Sequence, residues 1–169
     1  MKDTLKGLLT SFSSIMILSM SINIASPKTA DAQQKLEWHA FEDAILIADS
    51  TKKPIFIDVW APWCGWCLKM KREVYPELNE ELSEKFILTR LNRDDNETRY
   101  YYKNRYITPL MLSKILNVKT VPEIVFLNLH GDYLTNLSGF IHAEDLQPVL
   151  EYISSEAYKD NSFQNFLNK

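Results

Sequence analysis

Cysteine is scarce in this sequence, with two residues in 169 positions. Two thiols are too few for a framework of structural disulfides and too few for an iron–sulfur cluster. Histidine is nearly as rare: His39, His130 and His142 are scattered without ligand spacing, which argues against a zinc site and its usual four donors. No charge dominates either, since 19 basic against 22 acidic residues leave a net charge of −3. The basic patch or stripe that marks a nucleic-acid surface is therefore not expected. Long apolar runs are missing as well. The most apolar segment, Leu8 to Ala25, is interrupted by Thr10, five serines and Asn23, and falls short of the roughly 20 predominantly apolar residues of a spanning helix. Internal repeats and low-complexity tracts are absent.

What is present starts with enough apolar residues, 46% of the chain, to build one ordinary core. The first thirty-odd residues read as an address. Lys2 and Lys6 give a weakly basic start, the interrupted apolar stretch follows, and Pro27 breaks it ahead of Ala30-Asp31-Ala32. Small residues stand there where a signal peptidase needs them. The expectation is a cleaved signal peptide over residues 1–32 and a single domain over 33–169, located in the periplasm or another extracytoplasmic space. No cysteine lies near the cleavage point, so a lipid anchor is not expected, and the interruptions of the apolar stretch argue against a retained membrane anchor.

Beyond the leader, helical and extended patterns alternate. Phe41, Ala44, Ile45 and Ala48 recur at spacings of three and four, which predicts an amphipathic helix over residues 38–50. Ile55 to Trp60, opened by Pro54, is a short, nearly continuous apolar run of the kind that forms a strand buried on both faces, and Asp58 is the anomaly within it. A helix should run from the cysteines to about Val74, where Pro76 must break or kink it, with a short second helix from Glu77 to Glu84. Residues 86–92 read as a strand, joined to the first by a helical segment and therefore parallel to it. A helix over 111–118 follows. Residues 121–127 and 133–137 then form strands around a turn at His130-Gly131-Asp132, and a last helix carries Leu146, Val149, Leu150 and Ile153 on one face. The fold class is α/β, a mixed sheet with helices on both sides.

The two cysteines stand as Cys64-Gly65-Trp66-Cys67 at the predicted start of a helix. A side chain there meets unpaired backbone N–H groups and the positive end of the helix dipole, which favour a thiolate on Cys64. The thiolate is the nucleophile of disulfide exchange, and Cys67, three residues on along the same face, is close enough to resolve a mixed disulfide. Haem attachment would need histidine where Leu68 stands. A purely structural disulfide closing so short a loop would constrain the unfolded chain little.

Residues 56–67, Phe-Ile-Asp-Val-Trp-Ala-Pro-Trp-Cys-Gly-Trp-Cys, resemble the active-site strand and helix of thioredoxin, and Lys119-Thr120-Val121-Pro122-Glu123-Ile124-Val125-Phe126 resembles its cis-proline loop and following strand. The two motifs occur in the right order, and the likeness spans Trp38 to Ile153. The chain is most similar to exported thioredoxin-like proteins with a Trp-Cys-Gly-Trp-Cys motif. The resemblance implies a thioredoxin-like fold, Cys64 as attacking thiol, Cys67 as buried resolving thiol and the two as a redox-active disulfide. It further implies that Trp63 belongs to the surrounding surface, that Pro122 is the cis-proline, and that the Val121 backbone pairs with an extended substrate. Trp66, between the cysteines, joins the substrate-facing set. Asp58 matches the buried carboxylate behind the resolving cysteine, where it either serves as proton relay for Cys67 or is a hydrogen-bonded buried polar residue.

Three departures from thioredoxin stand out. Trp66 replaces the motif proline, so the redox poise does not carry over. Pro76 falls later than the helix-kinking proline, which points to two short helices. The stretch from Asp94 to Met111 is longer and rich in tyrosine, and leaves the sheet at the edge where Cys64 sits. Its tyrosines either receive a partner there or cover the fold's own core. The function expected is exported thiol-disulfide oxidoreductase, reducing or exchanging disulfides of envelope proteins. The alternatives are a non-catalytic binding or chaperone-like module and a disulfide oxidase or isomerase. No metal or other cofactor is implied. Expected partners are protein disulfides and a membrane or envelope electron donor, with the protein itself a monomer.

Overall fold

Strand β2, Ile55–Trp60, holds the centre of the molecule because five of its six residues are buried and both its edges are paired. In the computed structural model, which describes residues 35–168, it runs parallel to β3 (Ile87–Asn92), with Asp58 opposite Arg90. On its other edge it runs antiparallel to β6 (Glu123–Leu127), with Val59 opposite Glu123. A short edge strand β1 (Trp38–His39) pairs with β3, and β7 (Tyr133–Ser138) closes a hairpin with β6. The sheet is mixed, as the sequence predicts, and runs in the order β1-β3-β2-β6-β7, with β1 a strand not expected from the sequence. The expected leader lies outside the described residues.

The strand alternation sorts the core into two layers. Ile55, Ile57 and Val59 meet Phe41, Ala44 and Ala48 of helix α1 (Phe41–Thr51) and Leu112 and Leu116 at the helix α5 (Pro109–Ile115). Phe56 faces the other way, into Met70, Val74, Tyr75, Leu82, Leu146 and Leu150. Its ring stands edge-on to Tyr75 at 5.7 Å and to Phe126 at 5.6 Å. Truncating such a buried phenylalanine typically costs about 3–5 kcal/mol, so this layer is a main anchor of the sheet.

The helix after the cysteines differs from expectation. It begins as α2 (Gly65–Lys69), widens into a π-helical segment over Met70–Val74, and continues as α3 (Tyr75–Glu77). The Tyr75 N–H reaches back five residues to the Met70 carbonyl. A proline ring normally clashes with the carbonyl four residues earlier; the wider turn displaces that carbonyl, and Pro76 falls in the first turn of α3, where its missing N–H is tolerated. The break comes instead at Leu78, and α4 (Asn79–Lys85) follows. The N-terminal helix also starts later than predicted, at Phe41, because Trp38 and His39 pair with β3.

The tyrosine-rich insertion folds into a hairpin, β4 (Tyr100–Tyr102) and β5 (Arg105–Ile107). Lys103 and Asn104 both take positive φ in its two-residue turn, as a turn matched to strand twist requires. Tyr100 and Tyr102 pack on Phe41, and the Tyr102 hydroxyl donates to the Gly131 carbonyl at 2.8 Å. Gly131 belongs to the β6–β7 turn, and β6 ends opposite Ile55, so the hairpin reaches the end of the sheet remote from Cys64. Half of the tyrosine cluster therefore covers core. Tyr101 and Tyr106 remain exposed, their rings tilted against each other with centroids 5.2 Å apart.

The chain finishes with α6 (Ala143–Ser154), which places Leu146, Leu150 and Ile153 against the Phe56 layer, and α7 (Phe163–Leu167), whose Phe163 and Phe166 pack on Tyr152.

Candidate active site

Cys64 is the N-cap residue of α2, as its position after the β2 strand and the Pro62-Trp63 turn dictates. Its sulfur is bonded to that of Cys67, with the Cα atoms 5.3 Å apart. The Cys67 backbone N–H donates to Cys64 Sγ at 3.1 Å, so the first turn of the helix presents a hydrogen to that sulfur. Cys64 is 4% exposed and Cys67 1%. Both residues of the disulfide are thus buried, Cys64 slightly less than Cys67.

The surface around the disulfide is apolar. Trp63 is 70% exposed and Trp66 58%. Trp63 Nε1 donates to Asp94 at 2.7 Å, which ties the beginning of the insertion to the active-site turn. Trp66 lies 5.3 Å from Phe140, and the Lys69 ammonium stands over both rings at 5.1 and 4.8 Å. Val121 packs against the cluster of Ala61, Cys64 and Cys67, the Val121–Pro122 peptide bond is cis, and the Pro122 carbonyl accepts from Gly139 N–H at 2.9 Å. Among the described residues no hydrogen bond engages the Val121 backbone. Cys64, Cys67, Trp63, Val121 and Pro122 are thereby brought to one surface with Trp66 at its rim.

Asp58 is completely buried on β2. Tyr75 Oη donates to its Oδ1 at 2.9 Å and Arg90 Nε to its Oδ2 at 2.8 Å. Burial raises the Asp58 pKa above its ordinary 3.8, opposed by the Arg90 charge and by the two hydrogen bonds. Tyr75 is held well above the usual phenol range, first by burial and then by the Asp58 charge, so it remains a donor. Each carboxylate oxygen keeps a second lone pair, and the group can still accept a proton.

Sequence reasoning missed Tyr75, Arg90, Asp94, Phe140 and Glu123. Arg90 follows from aligning the starts of β2 and β3, which sets it opposite Asp58. Tyr75 lies two helical turns beyond Cys67, a spacing that places both on one face. Glu123 carries the signal that identified Asp58, a lone carboxylate in an apolar strand, and it too is fully buried.

The thioredoxin-like domain family matches residues 41–154. A thioredoxin from Synechocystis is 33% identical over 91 residues, covering 53% of this chain and 75% of that protein. A thioredoxin-fold protein from Helicobacter pylori superposes with a TM-score of 0.57 at 19% identity, covering 70% of this chain and 84% of the other. A structure described as the oxidoreductase DsbH gives 0.55 at 21% identity, over 70% and 84%.

Proposed function

The chain belongs to the thioredoxin-like domain family and is a thiol-disulfide oxidoreductase by fold and cysteine pair, and from that premise we propose that it reduces disulfides of proteins outside the cytoplasm. One observation carries the reading: the cysteine capping α2 opens onto a surface of exposed tryptophan and unengaged Val121 backbone. In the reduced protein the Cys64 thiolate attacks one sulfur of a substrate disulfide. The S–S bond breaks, the leaving sulfur takes a proton, and a mixed disulfide joins Cys64 to the substrate. Cys67 then loses its proton and attacks Cys64 Sγ, releasing the second substrate thiol. Two electrons have passed to the substrate, and an external dithiol, an envelope electron donor, must reduce the Cys64–Cys67 disulfide back to the dithiol and is itself oxidised to a disulfide.

Equilibration with glutathione tests the direction. A reductase requires a potential nearer the reducing end, about −270 mV, than the about −120 mV of a strong oxidant. A value at the oxidising end would reverse the assignment to disulfide donor.

Export rests on residues 1–32, with their basic start, interrupted apolar stretch and Ala30-Asp31-Ala32. Protein from the envelope fraction is expected to begin at Gln33 by mass spectrometry. Intact protein beginning at Met1 in that fraction would refute cleavage, and recovery only from the cytoplasm would refute export.

A further inference from the structure

We propose that Glu123 is a positioning residue that sets the substrate-docking loop against the disulfide, an inference that rests on the reading of Val121 as the docking backbone. Glu123 follows Pro122 directly, on the same face of β6 as Val125 and thus turned toward α1 and α5. Its hydrogen bonds go to the loop and to β7, and none goes to either sulfur. Its Oε2 accepts the Lys119 N–H at 3.0 Å and the Thr120 N–H at 3.2 Å, and its Oε1 accepts Asn136 Nδ2.

Asn136 extends the clamp. Its Nδ2 also reaches the Asn117 carbonyl at 3.4 Å, and its Oδ1 accepts from Tyr133 Oη at 3.1 Å, which orients the amide. The buried carboxylate therefore holds Lys119 and Thr120 directly, and Asn117 through Asn136, in the segment that leads into Val121. This acceptor-only group meets three donors, and removing it deprives two N–H groups of the loop of their side-chain partner. An apolar residue would fill this strand position more simply. The geometry explains the carboxylate as the element that keeps the loop, and with it the Val121 backbone, at a fixed distance from Cys64.

The consequence is selective. A protein substrate must dock along the loop before exchange, whereas dithiothreitol reaches the disulfide without docking. Misplacing a reacting geometry by about 1 Å can cost on the order of 100-fold. Glu123→Ala is thus expected to lower the rate of insulin disulfide reduction about tenfold while leaving reduction of the Cys64–Cys67 disulfide by dithiothreitol within about twofold. Glu123→Gln is expected to restore insulin reduction to within about threefold, because its amide oxygen still accepts both loop N–H groups while only the hydrogen bond from Asn136 is lost.

Circular dichroism establishes that each variant is folded. If Glu123→Ala does not fold, Asn136→Ala is read in its place, with an expected fall of about threefold in the insulin-to-dithiothreitol ratio. A folded variant with an unchanged ratio overturns the proposal, as does Glu123→Gln proving as slow as Glu123→Ala. Failure of the unsubstituted protein to reduce insulin at all would instead overturn the reductase reading, so the two are separable.

Discussion

Cys67→Ser is expected to stop the reaction at a covalent adduct on Cys64, and Cys64→Ser to form no adduct. The asymmetry comes from the helix. Cys64 caps α2, receives the Cys67 N–H at 3.1 Å and is the more accessible of the pair, 4% against 1%. In the reduced protein that N–H and the helix dipole favour a Cys64 thiolate, with a pKa expected below the free-thiol value of about 8.5. Cys67 acts only once a mixed disulfide sits on its neighbour, and then as an intramolecular nucleophile. Replacing it forfeits an effective concentration far above that of any external thiol, so release of substrate should slow by about a thousandfold or more. The measurement is a single turnover of reduced variant with excess disulfide peptide, followed by mass spectrometry of the alkylated product. An adduct on Cys67 of the Cys64→Ser variant, formed as fast as that on Cys64, would exchange the two roles.

Much of this site was legible because its signals are local. Pro54 and the run from Ile55 to Trp60 define β2, and two cysteines at helical spacing define the start of α2. Features missed in the sequence are those set by partners distant along the chain. β1 is two residues long, too short to show a period, and exists through its pairing with β3. The π-helical segment at Met70–Val74 alters the helical period over a single turn, within the noise of any apolar pattern. Lys103-Asn104 lacks the glycine that usually advertises a two-residue hairpin turn, so the insertion carried no hairpin signal. Its tyrosines proved to be divided by strand alternation: Tyr102 points into the core and Tyr101 away from it. Asp58 was visible as an anomaly, but its environment was not, since Arg90 and Tyr75 approach from a neighbouring strand and from a helix.

That environment sharpens the expected effect of Asp58→Asn. The relay reading has Asp58 take the proton from Cys67 during resolution; the alternative leaves it a buried group held by Tyr75 and Arg90. Both readings share a stability consequence. Burial raises the Asp58 pKa above 3.8 in the folded protein. Between the unfolded value and the folded one, the native state holds a proton that the unfolded chain has lost, so stability falls as pH rises through that window and recovers below it. Asp58→Asn removes this slope and is expected to keep or raise stability at neutral pH, since Arg90 is partly exposed and can turn its charge to water. The kinetic consequence separates the readings. If Asp58 accepts the Cys67 proton, the variant should resolve the mixed disulfide about 100-fold more slowly, the low end for general-base assistance, and its rate should lose its pH dependence around neutrality. Asp58→Ala adds a cavity and confounds the comparison. The deciding measurement is the rate of mixed-disulfide resolution against pH for the intact protein and Asp58→Asn. Superimposable profiles beside a flattened stability curve would make Asp58 a structural residue and leave the two cysteines to exchange without it.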